Sequence, residues 1–283
     1  MSNGLSIHIG LNEIDESRYG TKGELKNPEN DAVTMRDLAK ANGFETLTTL
    51  LTRDATSENV AAALKTAATR LTAGDLLLLT YAGHGSQVPD KNGDEPDRRD
   101  ETWVLYDRQF VDDELYALLG AFPEDVRVLL LSDSCHSGTV SRDVSHFLDD
   151  AELVRAFDTS EPSEVRARIR ALPQDAQFRN YQRDQELYDG IQRSVPALDL
   201  QDIRADVLLL SGCQDNQTSS DGTGANGLFT ETLVKTWKNG AFRGSYATLH
   251  RQIVESMPFY QTPNMLQTGK RTKEFAAQTP FAI

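Results

Sequence analysis

The stretch VRVLLLSDSCHSG, residues 126–138, decides the fold of this chain. Its first half is a continuous apolar run, which is typical of a strand buried on both faces in the middle of a parallel sheet. The run then breaks into polar residues and a glycine. In open α/β sheets the chemistry lies just beyond the carboxyl ends of the strands. Cys135 therefore stands where a nucleophile would be useful.

A second segment, DLLLLTYAGHG at residues 75–85, has the same construction and places His84 between two glycines. Further strands are predicted at residues 5–10 and 44–51, each followed by an amphipathic helix. This alternation predicts an α/β fold of parallel strands joined by right-handed crossovers. If the two apolar strands are neighbours, His84 and Cys135 lie together at one edge of the sheet.

Composition limits the classes of function. The 283 residues carry a formal net charge of −14, which disfavours nucleic acids and anionic membranes as partners. No stretch is as long and apolar as a membrane helix, and the N-terminus lacks the pattern of a signal peptide, so we expect a cytoplasmic protein. Two cysteines, one beside a histidine, indicate reactive or buried thiols and not a disulfide framework.

The motif YAGHG, followed 51 positions later by DSCHSG, resembles the caspase-like clan of cysteine peptidases, most closely the metacaspases and their bacterial relatives. Similar motifs follow the family's order: NPENDA at 27–32, GDEPDRRDET at 93–102, VDDEL at 111–115, SGCQDNQTS at 211–219 and FYQTPN at 259–264. This resemblance implies a caspase-like three-layer sandwich, with a mostly parallel central sheet of six or more strands and helices on both faces.

The resemblance also implies a single catalytic domain over residues 1–283. Residues 1–143 match the large catalytic part, 206–283 match the small part, and 144–205 form an arginine-rich insertion between them. Because almost nothing precedes the first strand, we expect the family's long N-terminal prodomain to be absent. Residues 148–157 and 162–172 are predicted to be helical, and a last strand is expected near residues 274–277.

Cys135 is the candidate nucleophile, because a thiolate attacks a carbonyl once a nearby group lowers the pKa of the thiol. His84 is the candidate partner and would also protonate the leaving amine. Gly85 resembles the family's backbone donor to the developing oxyanion, with the amide of Cys135 as the second donor. The alternatives are a buried structural thiol for Cys135 and a tight turn for Gly85. The neighbouring His136 is a second candidate base.

Asp31 and Asp133 match the positions at which metacaspases carry acidic residues in the pocket for the residue before the cut. Two carboxylates in a partly buried pocket attract a guanidinium and reject a substrate carboxylate. The resemblance therefore implies cleavage after Arg or Lys. The alternative for Asp31 is a carboxylate in the first turn of a helix, and for Asp133 a hydrogen-bond acceptor in a loop.

Residues 90–114 form an acidic loop with ten Asp or Glu and four Lys or Arg. Many metacaspases are activated by calcium, whose hard oxygen ligands are of this kind. The resemblance maps calcium ligands onto five aspartates: Asp97, Asp100, Asp112, Asp113 and Asp143. The alternative is a solvated acidic surface. The partial EF-hand pattern from Asp90 is rejected, because Glu95 occupies the position that needs glycine.

The function that follows is a cysteine endopeptidase that cleaves proteins or peptides after Arg or Lys. We expect the protein to be monomeric, with calcium as an activator of its peptidase activity. The arginine-rich insertion offers sites for self-processing, with five candidates: Arg142, Arg155, Arg166, Arg168 and Arg179. The first alternative is a non-catalytic, calcium-responsive interaction module that keeps the caspase-like fold. A hydrolase of small amides is the second alternative.

Overall fold

The structure is a computed structural model that describes residues 2–93, 95, 97–134, 169–194, 203–213, 220, 224–258 and 260–283. Cys135, His136 and Asp143 lie outside the described residues. The strands are β1 (Gly4–Gly10), β2 (Glu45–Leu51), β3 (Leu76–Ala82), β4 (Gly85–Pro89), β5 (Arg99–Val104), β6 (Gln109–Val111), β7 (Arg127–Asp133), β8 (Asp206–Ser211) and β9 (Asn264–Thr268).

The helices are α1 (Glu16–Tyr19), α2 (Pro28–Ala41), α3 (Ser57–Arg70), α4 (Asp112–Gly120), α5 (Gln174–Arg183), α6 (Gln185–Ser194), α7 (Leu228–Trp237), α8 (Tyr246–Ser256) and α9 (Thr272–Ala276). Two single 3₁₀ turns occur at Thr52–Asp54 and Lys238–Gly240. None of the helices in the described ranges is long and apolar enough to cross a membrane.

Six strands form the central sheet in the order β2-β1-β3-β7-β8-β9. The first five run parallel, and β9 is antiparallel to β8. The predicted mostly parallel sheet of six or more strands is thereby confirmed. Strand β8, from the C-terminal part of the chain, pairs directly with β7. The two parts matched to the large and small catalytic regions therefore contribute to one sheet.

Successive residues of the central strands face two separate apolar cores, because side chains alternate along a strand. Leu77 and Leu79 of β3 pack in one core with α3 and α4. Leu76 and Leu78 pack in the other core with α2, α7 and α8. The continuous apolar run of the sequence thus reflects burial on both faces, and the three-layer sandwich is confirmed.

Two local predictions are wrong. The last strand is β9, and residues 274–276 belong to helix α9. Residues 169–172, predicted as the end of a helix, are not helical. Ile169 and Ala171 form single β-bridges with distant parts of the chain. Pro173 follows this segment, and a proline disfavours helical geometry in the residue before it.

Strands β4, β5 and β6 form a separate antiparallel sheet. This small sheet begins at Gly85, directly after His84, and its strand β5 lies within the predicted acidic loop. Helices α5 and α6 pack on it through the fully buried Tyr188, which contacts Val88 and Val111. The Tyr188 hydroxyl donates to Asn180 Oδ1 at 2.7 Å, which joins the two helices.

Candidate active site

Strands β3 and β7 are paired in register at the edge where the catalytic residues were predicted. Their last residues, Ala82 and Asp133, are direct partners, and each candidate catalytic residue follows two positions later. The ends of the two strands that precede His84 and Cys135 in the sequence therefore lie side by side at one edge of the sheet. This is the relationship that the two apolar segments predict, although Cys135 itself lies outside the described residues.

His84 is buried, and its ring has a defined orientation. Its Nε2 lies 2.8 Å from the backbone oxygen of Gly23. A carbonyl oxygen accepts only, so Nε2 carries the proton in this contact. The other ring nitrogen, Nδ1, is then the basic atom of the neutral ring. Gly23 has a positive φ of 52°, and a β-carbon there would lie 3.1 Å from Nε2.

The backbone around His84 is fixed by side chains of the two sheets. The Tyr81 hydroxyl donates to the His84 carbonyl oxygen at 2.6 Å, and the Val104 amide donates to the same oxygen at 3.0 Å. The Tyr81 ring stacks on Trp103, with centroids 4.5 Å apart. A β-carbon at Gly83 would lie 2.8 Å from the Tyr81 hydroxyl, so this glycine is needed for close packing as well as for the turn.

The predicted acidic pocket contains an arginine of the chain itself. Arg170 is fully buried, and its Nη2 lies 2.6 Å from Asp31 Oδ2. Its Nη1 lies 3.0 Å from Asp133 Oδ2 and 3.1 Å from the Asp133 carbonyl oxygen. The structure thus brings Asp31 and Asp133 together around one guanidinium. Asp31 also lies in the first turn of α2, as its alternative interpretation required.

The start of α7 completes the pocket with residues that the sequence analysis did not single out. The Asn226 side-chain amide and the Gly227 backbone amide donate to Asp31 Oδ1 at 2.9 and 2.8 Å. The Thr230 hydroxyl donates to Asp133 Oδ2 at 3.0 Å. These donors fix the two carboxylates in the orientation that faces the guanidinium.

Burial has a large electrostatic effect on the pocket. It raises the pKa of Asp31 to about 6, against the opposing attraction of the Arg170 guanidinium. The nearby Asp133 carboxylate adds to the rise, because two like charges in one site repel each other. A cation between the two carboxylates is therefore needed for both to stay ionised at modest cost.

The Gly85 amide, the predicted oxyanion donor, lies against the same arginine. It donates to the Arg170 carbonyl oxygen at 2.8 Å. On the other side, the Leu172 amide donates to the Gly85 carbonyl oxygen at 2.9 Å. Gly85 thus contacts the backbone on both sides of the Arg170–Ala171 peptide bond.

Three carboxylates from separate positions of the acidic loop lie close together. Oxygens of Glu95, Glu101 and Asp112 all lie within 4.8 Å of one another. Burial raises the pKa of Asp112 well above its usual range, and repulsion from Glu101 and Asp100 adds to this rise. Sequence reasoning missed Glu95 and Glu101, although both lie in the acidic stretch that it identified.

The other predicted metal ligands differ in position. Asp100 and Asp113 are both buried, and both raise the pKa of Asp112 electrostatically. Asp113 accepts from the Asn92 side chain at 3.2 Å. Asp97 is exposed and accepts from the Arg99 amide at 3.1 Å. Asp143 lies outside the described residues.

Comparisons with known proteins agree with this architecture. The family profile of the caspase domain, Peptidase C14, matches residues 7–276. Metacaspase-1 of Mycosarcoma maydis is 29% identical over 250 residues, which cover 78% of this chain and 58% of that protein. Metacaspase-9 of Arabidopsis thaliana is 26% identical over 303 residues and 92% of each chain. The chain spans 58%, 40% and 38% of the lengths of the first three curated relatives.

Two solved structures share the fold. The crystal structure of protein GSU0716 from Geobacter sulfurreducens has a TM-score of 0.85 and 44% identity, and the match covers 99% of this chain and 98% of that one. Caspase-1 from Spodoptera frugiperda has a TM-score of 0.52 at 13% identity, over 95% of this chain and 89% of that one. With a caspase-domain profile over almost its whole length, metacaspase relatives and a caspase-like fold, the chain belongs to the caspase-domain family of cysteine peptidases.

Proposed function

We propose that this protein is an endopeptidase that cleaves after Arg or Lys, with Cys135 as nucleophile and His84 as its acid–base partner. One observation carries the proposal. Arg170 lies with its guanidinium between Asp31 and Asp133 and its carbonyl oxygen on the amide of Gly85. A peptide substrate with arginine before the scissile bond would make the same contacts.

The chemistry follows from these contacts. The Cys135 thiolate attacks the carbonyl carbon of the substrate arginine, and the electron pair of the carbonyl moves to its oxygen. The Gly85 amide stabilises that oxygen, with the Cys135 amide as the second donor. His84 takes the thiol proton on Nδ1 as the thiolate forms, and gives that proton to the leaving amine as the C–N bond breaks. Water then hydrolyses the thioester and restores the thiol.

Charge supports the preference for a basic residue. The pocket floor consists of two buried carboxylates, so a substrate carboxylate would add a third negative charge in a poorly solvated site. Arginine is favoured over lysine at equal depth, because its two terminal nitrogens reach both carboxylates at once. Lysine offers one ammonium, and we expect it to be the weaker substrate.

We extend the proposal to calcium activation through Glu95, Glu101 and Asp112, with Asp100 and Asp113 beside them. The donor set fits the ion, because all are carboxylate oxygens and their mutual repulsion leaves Asp112 difficult to ionise without a cation. The cluster also has a structural link to the active site. Gln87 of β4 donates to Glu101 of β5 at 3.3 Å, and β4 begins at Gly85. A cation there would fix the strand that carries the oxyanion donor.

The rival function is a non-catalytic, calcium-responsive interaction module. The ordered His84 ring with its basic nitrogen opposite the Gly23 contact favours the enzyme, because a binding module does not need an oriented base. A monomeric state, a cytoplasmic location and self-processing remain predictions from the sequence.

Two fluorogenic peptides test the proposal, one with Arg and one with Asp before the reporter. Each is incubated with calcium and with chelator, beside a Cys135→Ala control. The proposal expects cleavage of the Arg peptide alone, dependent on Cys135 and increased by calcium. Cleavage that chelator does not change would contradict calcium activation and leave the peptidase proposal standing. Preference for Asp would overturn the roles of Asp31 and Asp133.

A further inference from the structure

A small internal cavity lies behind the two carboxylates that face Arg170; we call it the floor cavity. Its volume is about 10 Å³, which is room for one water molecule. Asp31 and Asp133 line it, and all of its lining residues are buried. Arg170 is not among the described residues that line it. The floor cavity is therefore separate from the space that the guanidinium fills.

The floor cavity has a polar side as well as an apolar one. Thr80 and Ala82 of β3 lie on the same sheet face as Asp133, because Ala82 and Asp133 are partners in parallel strands and side chains alternate along a strand. Thr230 of α7 adds a second hydroxyl. The apolar side is formed by four residues: Met35, Leu131, Phe229 and Leu233. Purely apolar cavities stay dry, whereas a buried water needs two to four polar partners, which two carboxylates and two hydroxyls supply.

Thr80 is held by a histidine that has no part in the proposed chemistry. His8 of β1 is fully buried, and its Nδ1 lies 3.0 Å from the Thr80 hydroxyl oxygen. Its other ring nitrogen, Nε2, has no hydrogen-bond partner among the described residues. Buried N–H groups without an acceptor are rare and costly, so the neutral ring carries its proton on Nδ1 and donates it to Thr80.

This contact fixes the direction of the Thr80 hydroxyl proton. Burial lowers the pKa of His8 to about 3, so the ring stays neutral and remains a donor through Nδ1. Because the hydroxyl oxygen accepts from His8, its own proton points to another acceptor. A water in the floor cavity would accept that proton and donate its own two protons to the carboxylates. Hydrogen bonds donated to a carboxylate favour its ionised form.

We propose that one buried water in the floor cavity links Thr80 to Asp31 and Asp133, and that Thr80 and His8 are positioning residues for arginine recognition. The proposal rests on the role of the two aspartates in the proposed function. Donors from the start of α7 already orient the carboxylates on the guanidinium side. The water holds them from behind, so that both keep the spacing that the two terminal nitrogens of a guanidinium require.

The water itself can be tested without any peptidase activity. A high-resolution crystal structure of the full wild-type chain should show one ordered water in the floor cavity. That water should lie within about 3.2 Å of the Thr80 hydroxyl oxygen and of at least one carboxylate oxygen of Asp31 or Asp133. A cavity without density, or a water that contacts the carboxylates but not Thr80, would overturn the proposal.

The positioning role is tested by the preference for arginine over lysine. Thr80→Val keeps the shape of the side chain and removes the hydroxyl, and Thr80→Ser keeps the hydroxyl. Thr236→Val is the matched control, because Thr236 is also buried and its hydroxyl donates to the Thr232 backbone oxygen at 2.7 Å. The readout is the ratio of kcat/KM for two peptides that differ only in Arg or Lys before the reporter.

Thr80→Val should lower this ratio about tenfold, which is the size of effect expected for one lost hydrogen bond to a charged group. A lysine ammonium is a single point of charge and depends less on the spacing of two carboxylates. Thr80→Ser and Thr236→Val should keep the wild-type ratio. Both peptides compete with Arg170 for the same pocket, so its occupancy cancels in the ratio. General damage to the fold would lower both rates equally, and an unchanged ratio in Thr80→Val would overturn the positioning role.

The part played by His8 is tested in the same assay. His8→Leu should reproduce the loss of preference, and its combination with Thr80→Val should add little, because the two residues act through one hydrogen bond. A wild-type ratio in His8→Leu would contradict its role, and Tm measurements check that each variant is folded. If wild type hydrolyses neither peptide, the proposed function fails and the positioning role fails with it. Hydrolysis of both peptides with a ratio that Thr80→Val leaves unchanged overturns the positioning role alone.

Discussion

Gly227 leaves the space that the guanidinium of Arg170 fills. A β-carbon on Gly227 would lie 2.7 Å from the Arg170 Cζ, which is an overlap with the planar group. The backbone of Gly227 has φ −60° and ψ 154°, an extended geometry that any residue can adopt. The absence of a side chain at this position therefore serves the pocket and not the backbone.

Gly227→Ala should consequently impair arginine recognition, and it should also lower Tm while Arg170 fills the pocket. Overpacking costs about 1–3 kcal/mol, so kcat/KM for an arginyl peptide should fall about 10- to 100-fold. Gly224→Ala is the matched control, because its nearest neighbours are the Glu231 carboxylate atoms at 3.4 Å or more. Steady-state kinetics on both variants would check this, and an unchanged Gly227→Ala enzyme would exclude the proposed pocket.

Asp31→Asn should remove most of the preference for a basic residue. Loss of one partner from a buried charge pair costs about 3–5 kcal/mol, so arginyl hydrolysis should fall by at least two orders of magnitude. Asp37→Asn, on the same helix with an exposed side chain, is the control. The measurement is kcat/KM for matched Arg and neutral peptides. A comparable loss for both peptides would indicate general damage to the site and contradict a specificity role.

Arginine affinity should decline as pH falls toward about 6 and should level off below that value. Burial raises the pKa of Asp31 to about 6 even with Arg170 bound, and the guanidinium lowers that pKa, so the empty pocket has a higher one. Protonation of Asp31 removes half of the charge that binds the substrate. The check is the pH dependence of arginyl-peptide binding to Cys135→Ala with Arg170→Gln. Addition of Asp31→Asn should flatten the profile above about pH 6, and a persistent step would assign it to another group.

The same pKa has a consequence for stability. Because the folded-state pKa lies above the ordinary aspartate pKa of 3.8, ionisation of Asp31 costs folding free energy at neutral pH. That cost is absent below about pH 3.8 and stops growing at about pH 6; without Arg170 the folded-state pKa lies higher, so the cost keeps growing above pH 6. Arg170→Gln should therefore lower Tm more at pH 7.5 than at pH 5. Equal losses of Tm at the two pH values would speak against this linkage.

Asp112→Asn should weaken calcium binding and stabilise the calcium-free protein. Burial, and after it repulsion from Glu101 and Asp100, raises the pKa of Asp112, so a neutral amide at this position removes the cost of ionising the carboxyl group. In wild type, calcium should raise Tm, since a ligand that binds the folded state stabilises it. Titration calorimetry and Tm with and without calcium are the readouts, with the exposed Asp97→Asn as control. If the heat of calcium binding and the calcium-induced change in Tm are the same in Asp112→Asn as in wild type, calcium binds at another site.

Much of the fold could be predicted from local pattern. The continuous apolar runs of β3 and β7 require burial on both faces, and the register of Ala82 with Asp133 follows once the two strands are neighbours. The end of the chain could not be predicted in this way. Residues 264–268, NMLQT, mix apolar and polar side chains and are partly exposed because β9 is an edge strand, so their sequence has little of the strand pattern.

Some residues of the candidate site could likewise be predicted from the local sequence, and others could not. His84 and Asp133 stand at strand ends, where their chemistry is visible in sequence. Arg170 is 139 residues from Asp31. The sequence around Arg170 predicts a helix, which gives no sign that this residue fills a distant pocket. Gly227 is still more remote, 196 residues from Asp31, and a single glycine before a helix has many ordinary explanations. These contacts depend on the folded arrangement of three separate segments.

The most direct test of the central claim is covalent labelling of Cys135 in calcium-treated protein. Two peptidyl ketones that alkylate active-site thiols are compared, one with Arg and one with Asp next to the reactive group, and peptide mapping locates the adduct. The account predicts an adduct on Cys135 that forms at least about tenfold faster with the arginyl reagent, since each tenfold corresponds to about 1.4 kcal/mol of recognition. An adduct on Cys213, or faster reaction with the aspartyl reagent, would contradict it.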